Sequence, residues 1–161
     1  DRLIQAVGGD SERGAVFSNG FTYSGHPVSC AAALANMDVF ESEGLLENSR
    51  ELGPYLQEQL QTLSDLPIVG DIRGQGLMGC LECVASQESR QPLTLDYEVG
   101  SRIDAHCQAL GLLVRPLINM CVMSPPLCVT RQQIDDLTRI LREGIVRTMA
   151  DLEKEGIVSF G

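Results

Sequence analysis

An apolar stripe at helical spacing near the end of the chain is the feature that most constrains the fold. The residues of the stripe recur every three or four positions and are Ile134, Leu137, Leu141, Ile145 and Met149. This spacing places them on one face of a helix. Thr130 followed by Gln133 fits the capping box with which such a helix begins. A helix with one apolar face needs a second layer of structure to bury that face.

Short apolar segments earlier in the chain supply that second layer. They predict strands over residues 68–73, 77–84, 112–117 and 120–123. Gly74-Gln75-Gly76 predicts a hairpin between the first two strands, and a polar loop is expected around residues 86–92.

Helical patterns cover residues 28–43, 45–63 and 96–110, and Gly53-Pro54 is expected to kink or restart the second helix. The order of elements predicts an α+β fold, with a small, mostly antiparallel sheet of about four short strands and helices packed on one face. A length of 161 residues suits a single domain over residues 1–161.

The charge balance and the apolar content restrict the partners. A net charge of −10 argues against nucleic acid, because its phosphates are bound by clustered Lys and Arg. The absence of an apolar run of about 18 residues argues against a membrane span. No signal-peptide pattern precedes the predicted elements, so we expect a cytoplasmic protein. The start at Asp1, without Met, is typical of a piece of a longer protein.

Six cysteines raise the question of a metal or redox site. Cys80 and Cys83 have CxxC spacing, but they fall within a predicted strand, where residues three apart point to opposite faces. The chain has only two His residues and no second CxxC, so no metal site is predicted. We interpret the cysteines as small buried hydrophobic residues in a reducing compartment.

The segment from Asn19 to Pro27 concentrates hydroxyl groups and glycines directly before a predicted helix. Free N–H groups and the helix dipole at such a helix start favour an anion, in particular a phosphate. Thr22 and Ser24 have hydroxyl groups that can donate hydrogen bonds to it. An ordinary capped turn is the more common structure for such a segment, and these residues alone leave both interpretations open.

Three segments of the chain carry more specific motifs. They are FTYSGHPVSCAAALA at residues 21–35, VGDIRGQGLMG at 69–79, and GLLVR at 111–115 with SPPL at 124–127. In the same order they resemble the TYxGHPxxxAAAL, VRGxGLMxG and GLxxR…SPPL segments of class III aminotransferases. These are fold-type I enzymes of the ω-amino-acid:pyruvate type, which use pyridoxal 5′-phosphate (PLP). The start of the last predicted helix at 130–135 fits as well, so the resemblance covers essentially the whole chain.

The resemblance implies a C-terminal domain of a fold-type I enzyme and a set of binding residues. Thr22 would bind the PLP phosphate of the partner subunit across a homodimer interface, with Phe21, Tyr23 and Ser24 beside it. Arg115 would bind the carboxylate of a keto acid and swing aside for a neutral amine. An ion pair with one of the many acidic residues is the alternative for Arg115.

The resemblance also implies what the chain lacks. The Schiff-base lysine and the aspartate that pairs with the PLP pyridinium nitrogen would lie upstream of Asp1, in an N-terminal large domain whose tail is residues 1–20. Lys154 is the only lysine and lies in a polar run that does not suit this role. No catalytic residue and no metal ligand is therefore assigned, and the isolated chain is expected to be inactive. The full-length homodimer would transfer an amino group from an amine or ω-amino acid to a keto acid such as pyruvate.

Two other functions stay open at this point. One is a non-catalytic interaction module that retains the fold, and the other is a PLP-dependent aminomutase or decarboxylase on the same fold. The remaining polar residues receive structural interpretations or none. Arg73, Gly74 and Gly76 are assigned to a hairpin, His26 to the helix entry, Ser124 to a rigid chain stop and His106 to a helix without a partner, while Asn19 receives no role.

Overall fold

The computed structural model describes residues 22–93 and 98–160. The chain divides into two compact units, residues 1–39 and 40–161, and the boundary falls inside the first described helix. The described helices are α1 (Pro27–Ser42), α2 (Leu45–Gln61), a short 3₁₀ helix (Thr62–Asp65), α3 (Val99–Ala109) and α4 (Arg131–Lys154). The described strands are β1 (Val69–Gln75), β2 (Met78–Ser86), β3 (Gln91–Pro92), β4 (Arg115–Leu117) and β5 (Met120–Met123). Among these residues, no helix combines the length and apolarity needed to cross a bilayer.

The strands of the second unit form one antiparallel sheet in the order β1-β2-β5-β4, and the short β3 also pairs with β2. Alternate residues of the central strands, such as Leu81 and Cys121, point into a core with buried residues of α2, α3 and α4. The opposite faces of β2 and β5 carry polar or partly exposed side chains. The predicted α+β class, with a small antiparallel sheet covered by helices, is confirmed.

Several element boundaries differ from the predicted ones. β1 extends to Gln75, so the hairpin turn consists of Gly76 and Leu77, and Gly76 has the positive φ of 57° that the turn requires. The strand predicted over residues 112–117 forms only at Arg115–Leu117, and the predicted polar loop contains β3. α3 begins at Val99, and residues 94–97 lie outside the described residues.

Gly53-Pro54 does not restart the second helix, so that alternative is wrong. α2 continues through both residues and ends at Gln61. Gly53 is buried and lies directly against the backbone of Gly76 in the hairpin turn. Gln57, one turn later, donates from Nε2 to the carbonyl oxygens of Gly76 and Met78 at 2.8 and 2.9 Å. The glycine is therefore explained by a close helix–hairpin approach and not by a helix break.

The predicted start of the last helix is confirmed. The Gln133 N–H donates to Thr130 Oγ1 at 3.3 Å, and the Thr130 N–H donates to Gln133 Oε1 at 2.9 Å. This reciprocal pair is the capping box. Ile134, Leu141 and Ile145 of the predicted stripe are fully buried. The helix thus begins and packs as its sequence pattern predicts.

The cysteines are divided between the core and the surface. Cys83, Cys107 and Cys121 are buried, whereas Cys30 and Cys128 are exposed, so the prediction that all six are buried holds only in part. Cys80 and Cys83 lie on opposite faces of β2. Burial raises the pKa of the Cys83 thiol to about 12, which keeps it protonated and unreactive near neutral pH.

Candidate functional site

The turn before α1 presents polar groups at a helix start. Residues 22–25 form the turn, and Tyr23 and Gly25 have positive φ angles of 66° and 73°. The His26 N–H donates to the Tyr23 carbonyl oxygen at 3.4 Å, and the Cys30 N–H donates to the His26 carbonyl oxygen at 2.9 Å. The Thr22, Tyr23 and Ser24 side chains are exposed. Phe21 and Asn19 lie outside the described residues.

This turn has the chemistry that a phosphate needs. Thr22 and Ser24 offer exposed hydroxyl groups, and N–H groups in the first turn of a helix have no intrahelical acceptor. The helix dipole adds a partial positive charge at the same end. An ideal Cβ atom on Gly25 would meet no other atom within 4 Å, so the backbone is open on that side. The PLP phosphate therefore fits the residues present.

A second polar site lies on the sheet of the second unit. We use the term outer face for the side of the sheet opposite the core. The strand register places two rows of four residues on it: Arg73, Cys80, Val122 and Arg115 in one row, and Asp71, Glu82, Met120 and Leu117 in the next. The outer face therefore has one arginine at each end of a single row.

Arg115 is the first residue of β4 and pairs through its backbone with Val122 of β5. Its side chain is exposed, so no cost of burying a guanidinium arises within this unit. The alternative of an ion pair with an acidic residue is not found among residues 22–93 and 98–160, where no hydrogen bond or salt bridge from the Arg115 guanidinium is present. Arg115 is thus available to an external carboxylate.

Arg73 has the opposite environment. Its NH1 atom lies 2.7 Å from Asp71 Oδ2 and 2.8 Å from Glu82 Oε2, and its NH2 atom lies 3.3 Å from the sulfur atom of Met120. The hydrogen bonds to Asp71 and Glu82 raise the pKa of the guanidinium above its ordinary value. The sequence interpretation assigned Arg73 only to the hairpin and missed this network. The alternating positions of Asp71 and Arg73 on one strand face were the available signal for the Asp71 contact alone.

His106 and Lys154, which were also singled out from the sequence, lie on helices of the second unit. The prediction that His106 has no partner is wrong, because its Nε2 atom lies 2.8 Å from Asp151 Oδ2. Sequence spacing gave no sign of this contact, since the two residues are far apart in the chain. Lys154 is exposed at the last position of α4. Thr22 belongs to the first unit and Arg115 to the second, and each site is described by itself.

Comparisons with known proteins agree on one family. The sequence pattern of class-III aminotransferases matches residues 3–145. The chain is 40% identical over 151 residues to a putrescine–pyruvate aminotransferase of Pseudomonas aeruginosa, covering 93% of this chain and 32% of that protein. It is 38% identical over 138 residues to a mitochondrial gamma aminobutyrate transaminase of Solanum lycopersicum, covering 86% of this chain and 27% of that protein.

Solved structures show the same relationship. The chain superimposes on the PMP-bound form of an aminotransferase from Vibrio fluvialis with a TM-score of 0.78 and 38% identity, over 93% of this chain and 32% of that one. It therefore spans about a third of the length of the relatives that it matches. Both the sequence match and the shared fold lead to one conclusion: the chain belongs to the class III aminotransferases.

Proposed function

We propose that the chain is the C-terminal part of a PLP-dependent aminotransferase that moves an amino group from an amine or ω-amino acid to a keto acid such as pyruvate. The observation that carries this proposal is the exposed Arg115, which has no ion pair among the described residues although the outer face also carries two carboxylates. A guanidinium kept available in this way suits bidentate binding of a substrate carboxylate.

The turn at Thr22 has a binding role in this proposal. Its hydroxyl group donates to the cofactor phosphate of the partner subunit in a homodimer, and Ser24 and the helix start add further donors. Phe21 and Tyr23 flank this contact. When bound, PLP supplies the electron sink on which amino-group transfer depends. Thr22 then holds the cofactor in place and Arg115 holds the keto acid.

The proton-transfer step requires a residue from outside this chain. A lysine is the usual group for holding PLP and moving the proton, and Lys154 is exposed at the end of α4 next to Glu153 and Glu155. We infer that the lysine belongs to a large N-terminal domain and that the isolated chain has no activity. The cytoplasmic location is likewise a prediction.

The first experiment is a visible absorption spectrum of the full-length protein with PLP. An amine donor added without acceptor should bleach the cofactor band, and pyruvate should restore it. Bleaching followed by recovery supports the aminotransferase over a decarboxylase, whose normal cycle returns the cofactor to its starting form without a keto acid. A protein that shows no cofactor band after PLP is supplied contradicts the proposal and favours a non-catalytic interaction module.

A further inference from the structure

Arg73 and Arg115 lie at opposite ends of one row on the outer face, separated by Cys80 and Val122. Neighbouring strands in a sheet are about 4.8 Å apart, so three strand spacings separate the two arginines. Glu82 lies on β2, between them and one row away, and only two strand spacings separate it from Arg115. Glu82 is therefore the carboxylate of this face that is closer in strand order to Arg115, and Asp71 on the edge strand β1 is farther.

Glu82 could serve either arginine. Two strand spacings of about 4.8 Å and an offset of two residues along the strand separate the Cα atoms of Glu82 and Arg115 by about 12 Å. The extended side chains of glutamate and arginine, joined by a hydrogen bond, can cover that distance. In the structure, Glu82 Oε2 lies 2.8 Å from Arg73 NH1, and the side chain of Glu82 is 34% exposed. Asp71 Oδ2 shares the same nitrogen at 2.7 Å. Arg73 thus holds both carboxylates on the β1 side of the outer face.

We propose that Arg73 is a positioning residue that keeps Glu82 from pairing with Arg115 and so leaves Arg115 available to the carboxylate of the keto acid. This inference rests on the proposed function of Arg115. An internal glutamate at the substrate arginine would compete with the keto acid for the same guanidinium, since both are carboxylates. Removing Arg73 would leave Glu82 without its cation. Arg90 lines a shallow cavity together with Asp71 and Glu82, and Arg115 is the arginine that remains in the two rows of the outer face.

The test uses the full-length enzyme loaded with PLP and compares its two half-reactions. Arg73→Gln should lower kcat/KM for pyruvate about two- to fivefold, the range that an exposed competing ion pair supplies. It should leave kcat/KM for an amine donor without a carboxylate unchanged, because that substrate does not use Arg115. Arg73→Lys retains a cation beside Glu82 and should keep most of the kcat/KM for pyruvate of the natural enzyme.

Two double variants provide a matched control. Arg73→Gln with Glu82→Gln and Arg73→Gln with Asp71→Asn have the same net charge, but only the first removes the carboxylate that is closer to Arg115. The first should restore kcat/KM for pyruvate, and the second should not. Equal restoration by both would mean that net charge alone matters and would overturn the proposal. Thermal melting of each variant identifies any that fail to fold, and the comparison between the double variants still decides the question.

Failure of this inference can be told apart from failure of the proposed function. If Arg115→Met leaves kcat/KM for pyruvate unchanged, Arg115 does not bind the keto acid. The proposed roles of Arg115 and Arg73 are then both overturned. If Arg115→Met lowers kcat/KM for pyruvate while Arg73→Gln has no effect, only the role of Arg73 is overturned. A loss in Arg73→Gln that affects the amine half-reaction equally would indicate a structural role alone.

Discussion

Gly53 and Gly76 approach so closely that an ideal Cβ atom on Gly53 would lie 2.7 Å from the Cα atom of Gly76. Gly53 is in the middle of α2, and Gly76 is in the turn between β1 and β2. The atom opposed to any side chain at residue 53 is therefore backbone, which cannot rotate away. This contact, with the two hydrogen bonds from Gln57, attaches the hairpin to the helix.

Gly53→Ala should destabilise the protein. Alanine gains about 1 kcal/mol of helix propensity over glycine, but overpacking against a fixed backbone costs about 1–3 kcal/mol, so we expect a net loss of about 1 kcal/mol. Denaturant unfolding of the full-length enzyme measures it, and amide hydrogen exchange should become faster at residues 74–78. Glu51→Ala, at an exposed position of the same helix, is the control and should not weaken the hairpin. An unchanged denaturant midpoint and unchanged rates of amide hydrogen exchange in Gly53→Ala would contradict the close approach.

The ion pair between Asp65 and Arg142 should make stability depend on pH in acid. Arg142 NH1 and NH2 lie 3.0 and 2.9 Å from the two carboxylate oxygens of Asp65, and this hydrogen bonding lowers the pKa of Asp65 below its ordinary value of 3.8. A lowered carboxylate pKa contributes stability above the unfolded-state pKa, and that contribution is lost as the pH falls through the folded-state value. Asp65→Asn should therefore be less stable than the natural sequence near neutral pH.

The difference in the free energy of unfolding between the natural sequence and Asp65→Asn should stay constant from pH 7 to about pH 5. It should shrink only below the ordinary aspartate pKa of 3.8. Urea unfolding across this pH range measures it. Asp136→Asn is the comparison, because Asp136 pairs with Arg139 only three residues away in α4 and joins no separate elements. A difference for Asp65→Asn that already disappears between pH 7 and 5 would contradict the assignment.

Thr22→Ala should weaken PLP binding. A hydrogen bond to a charged group contributes about 1.5–3 kcal/mol, so we expect the dissociation constant of PLP to rise about tenfold or more. Absorption titration of the cofactor-free, full-length enzyme measures this constant. Thr22→Ser retains the hydroxyl group and should bind nearly as well as the natural sequence, whereas Ser24→Ala should have a smaller effect than Thr22→Ala. Equal affinities in Thr22→Ala and the natural sequence would remove Thr22 from the phosphate site.

Arg115→Met should impair the keto-acid half-reaction selectively. Loss of the guanidinium should lower kcat/KM for pyruvate about tenfold or more, while an amine donor without a carboxylate should react as before. Arg115→Lys keeps the charge but loses the bidentate geometry and should be intermediate. Arg139→Met, on the exposed side of α4, is the control for removing one positive charge. An equal decrease for both substrates would contradict a carboxylate-binding role.

The sequence predicted the elements with strong local signals. The capping box of Thr130 and Gln133 and the apolar stripe behind it follow from rules that act within a few residues, and the structure has both. The restart expected at Gly53-Pro54 is absent, and Gly53 instead packs against Gly76, which lies 23 residues later in the chain. A local rule for helix breaking cannot identify a contact of that kind.

The candidate sites were predictable to different degrees. Motif resemblance identified Thr22 and Arg115 as candidates, and their roles remain predictions. The pairing of Arg73 with Glu82 depends on the register between β1 and β2, and the contact of His106 with Asp151 depends on how α3 packs against α4. Neither arrangement is encoded in spacing along the chain, so neither could be found before the tertiary structure.

The shortness of β4 has a consequence for genetic or engineering screens that score activity alone. With three residues, β4 cannot fix the position of Arg115 by itself. The turn that follows β4 is bound to α3, because the Gly100 N–H donates to the Ile118 carbonyl oxygen at 2.9 Å. A Cβ atom on Gly100 would lie 2.6 Å from the Met120 carbonyl oxygen. Substitutions at Gly100 would therefore displace the strand that carries the guanidinium, and such a screen would mistake a buried helix glycine for a substrate contact.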